Sequence, residues 1–556
     1  MEKSHNIAQT LADVADSAPD RTALICKSLA GYRKWTFAEF ADYAAGYGRA
    51  LVDKGVGKGD RVMLMVKPSM EFVCLTFALF RIGAVVILID PGMGYKNLLK
   101  CIGTVRPQVF IGIPKAHLFR KFFPAPFKTV SRFFCVGPSF GLFGSRLLPQ
   151  RVSAASCVVS KADDPAAIIF TTGSTGPPKG VCYSHGIFHA QLRLIRDYYH
   201  IGPTDIDQPA FPLFALFSTA LGACAVIPDM NPAQPAKVNP KKFIRTIVDQ
   251  QVTYSFGSPA IWNVVSRYCL EHHQKLPVKK ILMAGAPVSG ELIERLKEIM
   301  PEDGEIHTPY GATESLPIAS MTSTEILAET WNLTRKGKGT CVGRPLPGID
   351  IRIIHTSDEP IPLWDDRLEM EVGEIGEIVV KGPVVTRSYA NNERENLLAK
   401  IGDGKGFWHR VGDVGYFDGQ GRLWFCGRKG HRVRTAGATM YTICCEAIFN
   451  EHPQVYRSAL VGIGEPGSQV PVIIVEPFAR IHDEEKLLAE LRTLALQNSL
   501  TAGIDHFLIH PSFPVDIRHN AKIFREKLAV WAAEQVPVSE DRSQESGVRS
   551  QESGDG

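Results

Sequence analysis

The segment Ile168-Ile169-Phe170-Thr171-Thr172-Gly173-Ser174-Thr175-Gly176-Pro177-Pro178-Lys179-Gly180 carries the clearest local chemistry in the chain. Its glycines let backbone N–H groups turn toward one point, its hydroxyls add donors, and Lys179 adds a positive charge. Such a loop can cradle a polyphosphate. It lacks the Gly-Lys-Ser/Thr ending of a Walker loop. The same composition would also serve as a flexible Ser/Thr/Gly linker. An apolar strand leading in and a Pro-Pro-Lys-Gly exit, however, are features a linker does not need.

A loop of this kind must hang from a rigid sheet, and the surrounding sequence supplies one. Short Val/Ile-rich runs at Val62–Met65, Ala84–Ile89, Val109–Ile113, Ala167–Phe170 and Ile281–Met283 alternate with helical patterns. That order predicts a parallel sheet covered by helices, with ligands at the carboxyl ends of its strands. After about residue 340 the texture changes to short strands with Gly-rich turns, at Ile349–Ile354, Glu377–Lys381, Gly415–Asp418 and Leu423–Cys426. From Gly430 to about Gln535 the chain reads as a compact α+β module. It has strands near Ala459–Ile463 and Val472–Glu476 and a helix over Glu484–Leu496. The polar end, which repeats Arg-Ser-Gln-Glu-Ser-Gly, has nothing to bury and is expected to be disordered.

Length and composition agree with a multi-unit globular chain. At about 150 residues per domain, the 556 residues make three or four units, and 45% hydrophobic with 22% charged residues excludes a mainly disordered or collagen-like chain. The charge of +4, from 62 basic and 58 acidic residues, gives no ground for a nucleic-acid partner. Twelve cysteines without a CxxC pair, two of them the neighbours Cys444 and Cys445, point to a reducing, cytoplasmic compartment. The N-terminus reads as an amphipathic helix, not as a secretory signal. Phe72–Ile89 is apolar enough to suggest a membrane span, but Arg81 and Gly83 interrupt it. We read a buried helix ending near Arg81 and a strand stopped by Asp90-Pro91. One imbalance remains: between Asp90 and Asp163 there is no acidic residue, yet eleven lysines and arginines.

With the phosphate loop as anchor, the chain resembles the adenylate-forming superfamily of acyl-CoA synthetases, luciferases and adenylation domains. The resemblance assigns Thr171, Thr172, Gly173, Ser174, Thr175, Gly176 and Lys179 to ATP phosphates. Tyr310-Gly311-Ala312-Thr313-Glu314 resembles the family's aromatic-Gly-x-Thr-Glu element. That implies a ring against adenine at Tyr310, an α-phosphate contact at Thr313 and a Mg²⁺ ligand at Glu314. Gly285-Ala286-Pro287 resembles the adenine-side loop. Asp413, in Arg410-Val411-Gly412-Asp413, resembles the acid that accepts both ribose hydroxyls, a task a carboxylate suits because it can accept two hydrogen bonds. Arg428 resembles the arginine of the ribose and phosphates. Lys522, in Arg518-His519-Asn520-Ala521-Lys522-Ile523, resembles the lysine that bridges the attacking carboxylate and the α-phosphate. The implied catalytic residues are Lys522, Glu314 and Arg428.

The resemblance also implies the architecture. It is α/β, with a large N-terminal region over 1–427 that includes a β-rich subdomain at 340–427. A hinge at 428–430 and a small mobile α+β cap at 431–535 follow, then a tail at 536–556. Two departures bear on the substrate. Ala215, within Phe211-Pro212-Leu213-Phe214-Ala215-Leu216-Phe217, stands where many acyl-CoA ligases carry a histidine, and Gly430 stands where the hinge commonly has Asp or Lys. These phrases together, with Asp90-Pro91-Gly92-Met93-Gly94 and the segment around Lys522, resemble the β-lactone synthetases of bacterial olefin biosynthesis. That branch implies ATP- and Mg²⁺-dependent adenylation of a long-chain 2-alkyl-3-hydroxy acid, then ring closure with loss of AMP. It places Phe214, Ala215 and Phe217 beside the acyl group. A long-chain acyl-CoA ligase and a non-catalytic nucleotide-binding scaffold are the alternatives. His185, His307, His431 and His519 lie in or near motifs, and none is singled out as a base. Partner enzymes of the same pathway, or a peripheral membrane contact, are candidate partners for the basic Phe-rich stretch 119–143.

Overall fold

The computed structural model describes residues 4–139, 141–151, 157–171, 177–515 and 523–536. Two seven-stranded sheets share one plan. The first runs, edge to edge, Ser145–Arg146, Arg132–Cys135, Val109–Gly112, Arg61–Met65, Val85–Leu88, Pro165–Thr171 and Lys179–Ser184. Its neighbours are parallel until the last pair, an antiparallel hairpin in which Thr171 faces Lys179. The second runs Glu305–His307, Lys280–Met283, Tyr254–Gly257, Ile206–Asp207, Cys224–Ile227, Thr22–Ser28 and Gly31–Thr36. It too is parallel except for the hairpin at its far edge. Strands such as Val109–Gly112 and Cys224–Ile227 are buried throughout, as strands covered by helices on both faces must be.

The apolar run after Pro68 folds as read from its sequence. Ser69 accepts a hydrogen bond from the backbone N–H of Phe72 and starts the buried helix Met70–Arg81. Gly83, at φ 73°, turns the chain into the strand Val85–Leu88. Among the described residues no helix is long and apolar enough to cross a membrane. All twelve cysteines are free thiols.

The third sheet is antiparallel and holds the strands Tyr310–Ala312, Ser315–Ser320, Thr340–Pro345, Leu423–Arg428, Phe407–Phe417, Gly376–Lys381 and Asp350–Ile354, with Lys400–Gly402 added to Phe407–Phe417. It differs from the sequence reading in two ways. It begins at Tyr310, not near residue 340, because Gly311 and Pro317 break the alternation that would have marked its first hairpin. The strand expected at Gly415–Asp418 is the end of a longer one, so Asp413 sits inside a strand. A register shift between Val414 and Gly415 hides that continuity.

The chain divides into two compact units, one holding the described residues up to Gly430, the other running from His431 to Pro514 and resuming at Ile523. In the second unit, Val455–Ile463, Val470–Pro477 and His506–Ile509 form one sheet. Its core gathers Phe449, Leu460, Ile473, Leu487 and Leu491, each stabilising the fold by about 1.5–3 kcal/mol when fully buried. Glu446 ties this unit together internally. It accepts from the Arg525 guanidinium at 2.7 Å and from the backbone N–H of Leu460 at 2.9 Å.

Candidate active site

The third sheet sets Asp413 directly opposite Arg428. Arg428 Nη1 lies 3.0 Å from Asp413 Oδ1, and the Tyr310 hydroxyl donates to Oδ2 at 2.6 Å. Burial, then the charge of Asp413, pushes the Tyr310 phenol well above its ordinary range, so it stays a donor. The Asp413 charge likewise raises Arg428. Each carboxylate oxygen has two lone pairs. The contacts with Arg428 and Tyr310 orient the carboxylate.

Tyr310 and Glu314 are brought into place by the tight hairpin between Tyr310–Ala312 and Ser315–Ser320. A Cβ on Gly311 would lie 2.3 Å from the Ser315 carbonyl oxygen, so only glycine fits. Glu314 is buried; its Oε1 accepts from the Tyr389 hydroxyl at 2.8 Å, and its carbonyl accepts from the Thr386 N–H, also at 2.8 Å. Thr313 presents its carbonyl to the Tyr183 hydroxyl. The Lys400 ammonium donates to the Thr386 carbonyl. Burial lowers that lysine to about 7, with the Glu314 charge acting in the opposite sense. Lys179, at the start of its strand, pairs with Glu395 at 2.5 Å and sits 5.3 Å from the centre of the Tyr389 ring. Tyr183, Tyr389, Lys400 and Glu395 were not read from sequence. They lie in no motif, and only the fold brings them to Glu314 and Lys179.

The expected adenine-side loop and the residues expected beside the acyl group fall at the carboxyl ends of strands of the second sheet. Gly285-Ala286-Pro287 follows Lys280–Met283, and Gly285 turns at φ 95°. Phe214 stacks on Phe256 with ring centres 3.8 Å apart and planes 15° apart, and Phe217 packs between Phe214 and Phe188. Ala215, the first residue of the helix Ala215–Ala220, is fully buried, so a histidine there would have to displace its neighbours. The cavity beside Phe217, walled also by Phe77, Phe80 and Leu213, holds only about 10 Å³. As these side chains stand, it takes no alkyl chain.

A further buried acid underlies this wall. Asp207, at the end of Ile206–Asp207, is fully buried beside the Ser218 hydroxyl, and burial pushes its carboxyl well above the usual range. The Ser218 hydroxyl donates to the Asp207 carboxyl and lies within reach of the Phe214 carbonyl at 3.3 Å. Asp207 and Ser218 were also missed, since a lone Asp in a Gly/Pro-rich segment reads as a turn residue.

Of the histidines near motifs, His185 is buried and accepts at Nδ1 from the Ile7 N–H at 3.2 Å, and burial lowers it to about 4. His307 is buried against Tyr199 and paired with Glu305 at 3.4 Å. Both are occupied with holding the fold. Of the hinge residues, Arg428 is paired with Asp413, and Lys429 lies 3.0 Å from the buried carboxylate of Glu377, which also binds Arg410. Thr172, Gly173, Ser174, Thr175, Gly176, His519 and Lys522 lie outside the described residues; Thr171 is described only as a strand end.

The carboxylate, guanidinium and phenol constellation is carried by the antiparallel third sheet, beside two parallel helix-covered sheets, and comparison gives the chain a family. The model for AMP-binding enzymes matches residues 11–390, and the chain belongs to this family of adenylate-forming ligases. It is 44% identical over 551 residues to the olefin β-lactone synthetase of Xanthomonas campestris pv. campestris, covering 95% of this chain and 98% of that one. The olefin β-lactone synthetase of Stenotrophomonas maltophilia is 42% identical, with 96% and 99% covered. A long-chain-fatty-acid–CoA ligase of Thermus thermophilus is 25% identical, with 81% and 82% covered. In three dimensions the chain is similar to the amide bond synthetase McbA of Marinactinospora thermotolerans, at TM-score 0.78 and 22% identity over 95% and 99% of the two chains.

Proposed function

We propose that the protein uses ATP and Mg²⁺ to adenylate a long-chain 2-alkyl-3-hydroxy acid and closes the adenylate to a β-lactone, releasing pyrophosphate and AMP. The observation that carries this reading is the 44% and 42% identity, end to end, with two olefin β-lactone synthetases. The alanine at position 215 agrees with it.

The residues present fit the nucleotide. Asp413 presents a carboxylate suited to a ribose diol, Arg428 stands next to it as a fixed cation, and the phosphate loop begins where Thr171 faces Lys179. They also fit Mg²⁺. Among the described residues no group of three His, Cys, Asp or Glu side chains is placed to hold a metal ion. Glu314 alone, its Oε1 anchored by Tyr389, is the kind of single carboxylate with which magnesium binds phosphates while keeping waters. Magnesium, when bound, offsets negative charge on the phosphates as the leaving group departs. Lys522 is assigned the same task at the α-phosphate, stabilising charge that develops as the carboxylate attacks phosphorus. In the second step the 3-hydroxyl oxygen bonds to the carbonyl carbon, the bond to AMP breaks and the hydroxyl proton is released. The chain's part there is to hold the hydroxyl against the carbonyl, a role for the wall around Phe214 and Phe256.

The test supplies ATP, Mg²⁺ and a long-chain 2-alkyl-3-hydroxy acid with and without coenzyme A, and identifies products by NMR. Lactone and AMP without coenzyme A is the expected result. Product formed only with coenzyme A, as thioester, would refute it, and absence of AMP with any acid would return the chain to a scaffold role.

A further inference from the structure

Four of the exposed apolar side chains, Tyr95, Leu118, Phe122 and Phe123, lie on or at the end of the helices Tyr95–Val105 and Pro114–Phe122. Among the described residues the exposed phenylalanines are Phe122, Phe123 and Phe478, and the first two stand together at the end of the helix Pro114–Phe122. Phe122 is 72% exposed, and Leu118, one turn earlier on the same side, is 48% exposed. Tyr95, which opens the helix Tyr95–Val105, is 55% exposed and stacks on Phe123 at 6.1 Å; Phe119 joins them at 5.1 Å. These rings form a contiguous cluster across two helices, unlike isolated surface residues, which need no explanation.

Cations surround the cluster. Lys96, Lys100, Lys115, Lys121 and Lys128 are exposed, and the Lys121 ammonium lies 5.5 Å from the Phe143 ring centre. No acid occurs from Pro91 to Ala162. On adjoining segments, Asp60 is paired with Arg132 at 3.1 Å, and Asp90 accepts from the Gly92 N–H at 2.8 Å. The rings and the ammonium groups therefore form a surface both apolar and strongly positive.

We infer that this face docks the enzyme on an anionic phospholipid bilayer, with Phe122 and Phe123 entering the headgroup region and Lys115, Lys121 and Lys128 meeting lipid phosphates. Charge complementarity selects this occupant. The leaflet attracts clustered lysines, aromatic rings settle at the headgroup level, and lysine stems lie along apolar surface while their heads reach out. Protein interfaces, by contrast, are depleted in lysine. The inference does not rest on the lactone reading, although a two-chain lipid substrate would give such a surface a use.

The test co-sediments the full-length protein with vesicles of phosphatidylcholine alone or mixed with phosphatidylglycerol, at low and high salt. Binding to the mixed vesicles is expected at low salt and should weaken at high salt. The pairs Phe122→Ser with Phe123→Ser, and Lys115→Glu with Lys121→Glu, should each cut the bound fraction by roughly tenfold or more. ATP-dependent pyrophosphate release in vesicle-free solution should be unchanged in both, which shows that they are folded. No binding to either vesicle, equal binding to both, or binding indifferent to both variant pairs would overturn the inference. So would capture by polyglutamate without vesicle binding, which would give the face to an acidic protein.

Discussion

The proposed nucleotide side and the proposed acyl side of the first unit are built on opposite principles. Around Asp413 and Glu314 the groups are charged or strongly polar, each held by a partner distant in sequence: Arg428 and Tyr310 for one, Tyr389 for the other. Around Phe214 the contacts are aromatic stacks, and burial pushes the carboxyl of Asp207, beneath them, well above its usual range. The first arrangement can bind a fixed polar ligand with little reorganisation. The second is filled by packed aromatic rings, and the cavity beside Phe217 is small. On the proposed reading, the nucleotide meets polar groups already fixed by their partners, and the acid meets packed aromatic rings.

The strongest way to break this contrast is to remove the carboxylate on the polar side. Asp413→Ala takes away the diol acceptor and leaves Arg428 without its counter-charge. With about 1.5–3 kcal/mol for each charge-assisted bond, acid-dependent ATP–pyrophosphate exchange should fall by roughly 100-fold, seen as a higher KM for ATP. Tyr310→Phe removes one hydrogen bond to Asp413 and should cost about 5–10-fold in the same assay. If Asp413→Ala exchanged normally, the ribose site would lie elsewhere.

The acyl side sharpens the contrast by responding to a different substrate. Phe256→Ala removes the ring stacked on Phe214 and should change the preferred acid chain length and the KM for acid by about tenfold, on the scale of a buried aromatic contact. The KM for ATP should stay within about twofold of the parent. Equal movement of both KM values would show that the two regions form one cooperative site.

These contrasts also explain what the sequence disclosed. Parallel strands and the buried helix Met70–Arg81 were legible because apolar periodicity and the breaks at Gly83 and Asp90 report local geometry. Asp413, Tyr310, Glu314 and Arg428 were legible only because their neighbours repeat a family's phrases. Tyr389, Lys400 and Asp207 have no such phrase. Their roles arise from contacts between segments far apart in the chain, 75 residues in the bond from Tyr389 to Glu314, and no local pattern encodes that. The start of the third sheet was missed for a related reason: Gly311, needed for close approach to Ser315, erases the alternation that marks a strand.

The smallest expected effect concerns the neutrality of Asp207, and its sign separates the two regions. Its folded carboxyl lies well above the usual value, while in the unfolded chain it returns to about 3.9. A raised carboxyl contributes stability that is fully present below the unfolded value and is lost as pH climbs toward the folded one, because ionisation then favours the unfolded chain. Asp207→Asn can still bond to Ser218 but never ionises. The melting temperature of Asp207→Asn relative to the parent should therefore rise between pH 4 and pH 8, by on the order of 2 °C for a unit of this size. Asp207→Leu, which strands the Ser218 hydroxyl in the core, should melt lower than both at every pH. At the polar site the isosteric exchange runs the other way. Asp413→Asn gives up the charge that faces Arg428, so its stability relative to the parent should not rise over the same interval. An Asp207→Asn difference that stayed flat with pH would mean that Asp207 is ionised in the fold, and the acyl wall would then rest on a buried charge as the nucleotide side does.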